Sequence, residues 1–94
     1  MRIALVLLLA AATALSQDLS HLRVIGIGAH PDDCDIKFGG TAAKYALRGA
    51  KVKCVSVSNG DAAHQTEGGG ALARRRRAEA QEAGRRIGIE YDVL

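Results

Sequence analysis

Ninety-four residues with a single proline and a formal net charge of +3 allow at most one small domain, and a chain this short buries only a modest share of its surface. The charge is too weak to call for a nucleic-acid partner, and with three aromatics (Phe38, Tyr45, Tyr91) the core must be built from Ile, Val, Leu and Ala. The two cysteines, Cys34 and Cys54, exclude a CxxC-type metal or redox motif.

The chain starts MRIALVLLLAAATALSQ. Arg2 is a short positive head, Ile3 to Leu15 an apolar run of 13 residues, and Ala14 and Ser16 are small residues placed for a cut before Gln17. This is the pattern of a secretory signal peptide, residues 1–16. A spanning helix needs about 20 apolar residues, so no stable membrane insertion is expected after cleavage, and no cysteine follows the run to carry a lipid. The mature chain, 17–94, keeps a net charge of +2 and is expected to be exported, periplasmic or secreted. Export permits a disulfide. Cys54 lies in a strand-like run, however, and Cys34 adjoins an acidic pair, so two unpaired thiols are expected.

Next comes LRVIGIGAH, where Val24, Ile25 and Ile27 form a β-branched run that suits a strand buried on both faces. DIKFGGTAAKYALRGAK follows with Phe38, Ala42, Tyr45 and Ala46 at helical spacing and Gly49 as a stop. KVKCVSVSNGD reads as a second strand closed by Asn59-Gly60-Asp61. Strand, helix and strand in about 40 residues make a βαβ unit with parallel strands. AAHQTEGGG reads as a loop, because three consecutive glycines suit no regular element. A helix is predicted from about Leu72 to Arg86, and IEYDVL opens a third strand. The fold class is α/β, a Rossmann-like parallel sheet with flanking helices. A sheet that stops at its third strand reads as the N-terminal portion of a larger domain.

Ligands of open α/β sheets bind beyond the carboxyl ends of the strands. His30, Asp32 and Asp33 follow strand one, and Asp61 and His64 follow strand two, so all five are expected on one rim. A histidine and a carboxylate three positions apart can share a Zn²⁺, with Pro31 stiffening the turn between them. A second carboxylate beside the metal can act as general base toward its water. Helix capping by the aspartates is the plain alternative, but it leaves His-Pro unexplained. In the predicted second helix, Leu72, Arg76, Ala80, Ala83 and Ile87 share one face. Arg76 is therefore the arginine of the run 74–77 that needs a partner, either Glu79 or a substrate at the rim. Arg74, Arg75 and Arg77 are expected in solvent.

AHPDD after a Val/Ile strand and before a helix with Gly-Gly resembles the signature of the LmbE-like / PIG-L de-N-acetylase family. SNGDA after strand two and RxxExxxAxxxIG from Arg76 to Gly88 resemble it too, so the likeness covers nearly all of 17–94. The resemblance implies a Rossmann-like fold and zinc-dependent hydrolysis of the N-acetyl amide of N-acetylglucosamine-type conjugates, with a small-molecule amino-sugar conjugate as partner. It implies His30 and Asp33 as zinc ligands, Asp32 as general base, and a substrate-contacting role for Arg76. The family commonly has Glu where this chain has Cys34. The family's third ligand is a histidine well downstream, in a type of segment absent from these 94 residues; His64 is the one residue here placed to stand in for it. The alternative is a non-catalytic remnant of such a domain that binds metal weakly at most. Nucleotide binding at Gly26-x-Gly28 is disfavoured, since the acids that follow repel phosphate.

Overall fold

The computed structural model describes residues 2–7, 17–62, 64 and 66–94. The segment read as a signal peptide falls mostly outside the described residues, with only 2–7 described, as exposed helix. Among the described residues no helix is long and apolar enough to cross a membrane.

From residue 17 the order is β1 (Arg23–Gly28), α1 (Asp33–Leu47), β2 (Lys51–Ser56), α2 (Gly69–Ile87) and β3 (Glu90–Val93). The three strands form one parallel sheet in the order β1-β2-β3. α1 stops where the sequence indicates: Gly49 turns at φ +94 and its N–H bonds Ala46 O at 3.0 Å. α2 ends on Gly88 in the left-handed conformation, whose N–H caps Gly84 O. Its start differs from expectation, because Gly69 and Gly70 belong to the helix. The Gly69 N–H is held by Asp61 O at 3.0 Å, and this anchor to the preceding loop offsets the poor helical propensity of glycine.

Register brings Gly26 opposite Cys54 and Cys54 opposite Tyr91, with Ser56 between Gly28 and Val93. These residues share one sheet face, and both helices lie on it: Cys34 of α1 and Ala80 of α2 pack with Cys54, Tyr91 and Val93. A second cluster of Leu19, Ala42, Ala50 and Val52 extends the core, with Phe38, Tyr45 and Ile87 against it. The apolar stripe of α1 is thus the one its periodicity marks. β1, however, is not covered on both faces among the described residues: Ile25 and Ile27 are 64% and 74% exposed. Two successive crossovers stepping in the same direction put both helices on one side of the sheet, which leaves the face of Ile25, Ile27, Lys51 and Lys53 open.

The expectation of two unpaired thiols is corrected: Cys34 and Cys54 form a disulfide, with a Cα–Cα distance of 5.9 Å. The reason is Gly26. It lies beside Cys54 in the ladder, and its missing side chain lets the first turn of α1 drop onto the sheet. A Cβ built at Gly26 would sit 2.8 Å from Cys34 Sγ and 2.9 Å from Phe38 Cδ1. Neither neighbour can yield, one being cross-linked and the other a ring packed in the core. Gly26→Ala should therefore cost about 1–3 kcal/mol in urea unfolding of the oxidised protein. Unchanged stability would show that the first turn has slack.

Candidate active site

The ladder between β1 and β2 continues past both strand ends. Val57 N–H donates to Gly28 O and Ser58 N–H to Ala29 O, each at 3.0 Å, and the Ser58 hydroxyl donates to Ala29 O at 2.8 Å. The two loops therefore leave the sheet side by side, and residues 30–33 and 58–62 emerge on the same rim. A cleft of about 250 Å³ opens there, lined by His30, Ser58, Gly60, Asp61 and Ala62. His30 and Asp61, delivered by different strands, border one space.

His30-Pro31-Asp32 is a tight turn closed on His30 O, which accepts the N–H groups of Asp32 (2.8 Å) and Asp33 (3.2 Å). The Asp33 carboxylate reaches back, and its Oδ2 accepts the His30 N–H at 2.8 Å and lies 3.6 Å from His30 Nδ1. Capping does not account for the acidic pair. Asp32 occupies the N-cap position of α1 but makes no side-chain capping bond, and Asp33 spends its carboxylate on the turn. Two donors bound to one tetrahedral zinc at about 2.0–2.2 Å stand roughly 3.3–3.6 Å apart. His30 and Asp33, with half-exposed side chains 3.6 Å apart, fit two corners of such a site.

The bond from the His30 N–H holds the Asp33 carboxyl below the usual Asp range, partly opposed by desolvation. The sign follows: the native state favours ionised Asp33, so this contribution to stability is present above the unfolded pKa near 3.9 and is lost as pH falls through the lower native value. Carboxyl ¹³C titration should place Asp33 below an ordinary aspartate, and a midpoint at or above about 3.9 would show the turn to be open in solution.

His64 does not join the group. Its Nδ1 accepts the N–H groups of Thr66 and Glu67, both at 3.1 Å, so that lone pair is used inside its own loop, and His64 does not border the cleft. Among the described residues no group of three or more His, Cys, Asp or Glu is arranged to hold a metal. His30 and Asp33 stand close enough to share a metal, and His64 is not placed to join them.

Arg76 sits where its helical position indicates. It is half-buried while Arg74, Arg75 and Arg77 are exposed, and its NH1 bonds Glu79 Oε2 at 3.3 Å. Its stem rests on the rim loop: a Cβ on Gly60 would come 3.4 Å from Arg76 Cγ and 3.1 Å from Pro31 Cδ. Gly60, at φ +74, is the residue that lets Pro31, the second loop and α2 meet. Arg75 is exposed but paired with Glu67 and Glu79.

One long-range contact at the start of α1 has no signal in the linear sequence. Tyr91 of β3, 5% exposed, donates its hydroxyl to Asp35 Oδ1 at 3.0 Å. Burial, then the Asp35 bond, raises its phenol well above the ordinary value, so it remains a donor at any physiological pH. Asp35 was one more acid in the first turn of a helix, and only the β2–β3 pairing brings a tyrosine to it.

Residues 25–94 match the PIG-L family, GlcNAc-PI de-N-acetylase. Over 47 residues the chain is 45% identical to the 1D-myo-inositol 2-acetamido-2-deoxy-alpha-D-glucopyranoside deacetylase of Corynebacterium glutamicum, covering 50% of this chain and 16% of that protein. The enzyme of the same name from Corynebacterium efficiens is 47% identical over 47 residues, again 50% of this chain and 15% of the relative. The chain matches only about a sixth of the length of these curated relatives. Among solved structures, N,N'-diacetylchitobiose deacetylase from Pyrococcus horikoshii, in complex with its inhibitor MPG, superposes with a TM-score of 0.67 at 35% identity over 77% of this chain and 28% of that one. GalB, the 4-carboxy-2-hydroxymuconate hydratase of Pseudomonas putida, gives a TM-score of 0.68 at 24% identity, covering 77% of this chain and 33% of that one, a likeness of fold alone.

Proposed function

The chain belongs to the PIG-L (GlcNAc-PI de-N-acetylase) family, and from that premise we propose that its rim is one part of a zinc-dependent active site that hydrolyses the N-acetyl amide of an N-acetylglucosamine-type conjugate. The observation that carries this is the single turn in which His30 Nδ1 and Asp33 Oδ2 stand 3.6 Å apart while the neighbouring Asp32 carboxylate is left uncommitted to capping. Substrates named for the relatives, an acetamido sugar joined to inositol and a diacetylated chitobiose, support the same linkage.

His30 and Asp33 would hold the zinc, together with a donor from outside the described residues. When bound, the ion supplies Lewis-acid polarisation of the amide carbonyl and makes water acidic enough to be deprotonated near neutral pH. Asp32 would take a proton from the attacking water as general base while the water oxygen bonds to the amide carbon, and would pass that proton to the departing nitrogen, so that the C–N bond breaks to acetate and a free amine. Asp33, held ionised by the His30 N–H, stays a ligand and does not compete for the proton. Arg76, braced on Gly60, presents a guanidinium to hydroxyl or anionic groups of the sugar conjugate. We further propose that the protein acts after export; the apolar run ending at Ala14-Leu15-Ser16 and the buried disulfide, a bond favoured in oxidising compartments, support this.

The second reading, a non-catalytic remnant that binds metal weakly, draws on the two-donor site alone. Expression of the complete reading frame separates them. Acetate release from N-acetylglucosaminyl-inositol or diacetylchitobiose, abolished by a chelator and restored by zinc, is the expected result. A protein that takes up no zinc and releases no acetate from either substrate overturns the proposal in favour of the remnant.

A further inference from the structure

Three consecutive residues at the start of α1 are each fastened to a different strand or to the loop that follows it. Asp33 accepts the His30 N–H of the loop after β1 at 2.8 Å. Cys34 is bonded to Cys54 of β2. Asp35 accepts the Tyr91 hydroxyl of β3 at 3.0 Å. The helix depends on these ties, because its N-cap residue makes no side-chain capping bond and an uncapped first turn has unsatisfied N–H groups and opens readily. Only the disulfide is covalent, and it is the innermost, with Cys34 and Cys54 5% and 0% exposed.

We infer that the Cys34–Cys54 disulfide is a positioning device for the rim, so that Asp32 and Asp33 reach their working geometry only after the chain has been oxidised. The inference rests on the zinc reading above. Two unbonded sulfurs need at least about 1.5 Å more separation than a bonded pair. Cys54 belongs to the middle strand and cannot retreat, and the Gly26 backbone stands on the other side, its carbonyl oxygen 3.7 Å from Cys34 Sγ. The displacement therefore falls on the first turn of α1, which begins at Asp33 and has Asp32 at its N-cap position. A working site tolerates roughly 0.5 Å, less than this shift. The oxidation is thiol–disulfide exchange with a small-molecule disulfide: the two cysteine thiols lose two electrons and two protons, the Cys34–Cys54 bond forms, and the oxidant's S–S bond opens to two thiols. Because the bond is buried, it is set during folding and not switched in the folded protein.

The test folds the complete protein in two ways, in a glutathione redox buffer and in excess dithiol, and counts free thiols by alkylation and mass. Zinc affinity, measured against a competing chelator, should be at least 10-fold weaker in the dithiol-folded form. Exchange of the Ile36 amide, which bonds Asp32 O at 3.0 Å, should be at least 10-fold faster there, while the amide of buried Ala42 keeps its protection. Should the reduced chain fail to fold, Cys34→Ala combined with Cys54→Val, which keeps the core apolar and part of its volume, is expected to show the same two changes. Free thiols in the redox-buffered protein, or equal Ile36 exchange in the two forms, overturn the inference. Unequal exchange with equal zinc affinity also overturns it, leaving the bond a purely structural brace. If neither form binds zinc, it is the catalytic reading that fails, and the Ile36 comparison still decides whether the disulfide sets the turn.

Discussion

Asp32→Asn in the complete protein should lower acetate release by about 10²–10⁴-fold, the usual worth of a general base, while zinc content stays at the wild-type level. The substitution keeps shape while removing the negative charge and, with it, the ability to take a proton. It should not disturb the fold, for two reasons. Asp32 sits at the N-cap position without a side-chain capping bond, and Asn is as good an N-cap residue as Asp. Its backbone bonds, from Asp32 N–H to His30 O and from Ile36 N–H to Asp32 O, do not involve the carboxylate. Steady-state kinetics with metal analysis on the same sample separates the role of base from that of ligand. A variant at full rate would move the base elsewhere, with Asp61 across the cleft as the next residue to test.

The second large effect is loss of metal on removing either donor. His30→Ala and Asp33→Ala should each weaken zinc binding by more than the roughly 10–100-fold typical of an outer-shell partner, and activity should fall with occupancy. The two differ in their effect on the turn. His30 is a half-exposed side chain whose backbone N–H remains to hold Asp33, so His30→Ala should change stability by no more than about 0.5 kcal/mol, as surface substitutions do. Asp33→Ala also deletes the acceptor for the His30 N–H, and should loosen the turn and lower the melting temperature as well as the affinity. Equal zinc content in wild type and His30→Ala would sink the assignment of this turn as a metal site.

The sequence by itself determined the order β1-α1-β2-α2-β3, because a β-branched run, a helical stripe through Phe38, Ala42 and Tyr45, and glycine stops at 49 and 88 are local signals that the structure obeys. It also determined that His30 and Asp61 meet, since parallel neighbours deliver their following loops to the same edge. The inward position of Arg76 was legible for the same reason, helical spacing alone. What only the tertiary structure decided depends on contacts between elements far apart in the chain. The disulfide requires the Gly26–Cys54 register and a helix lying on a bare glycine backbone, neither of which Cys34 or Cys54 announces locally. The Tyr91–Asp35 bond spans 56 residues and exists because β3 pairs beside β2. The face of Ile25 and Ile27, open among the described residues, follows from two crossovers taken in one direction, which side-chain pattern does not encode. His64 closes on its own loop, its Nδ1 accepting the backbone N–H groups of Thr66 and Glu67, a contact that its position after β2 does not announce. Periodicity reports which residues share a face; which faces then touch, and which donors are already spent, is settled only when the sheet register and the helix seats are in place.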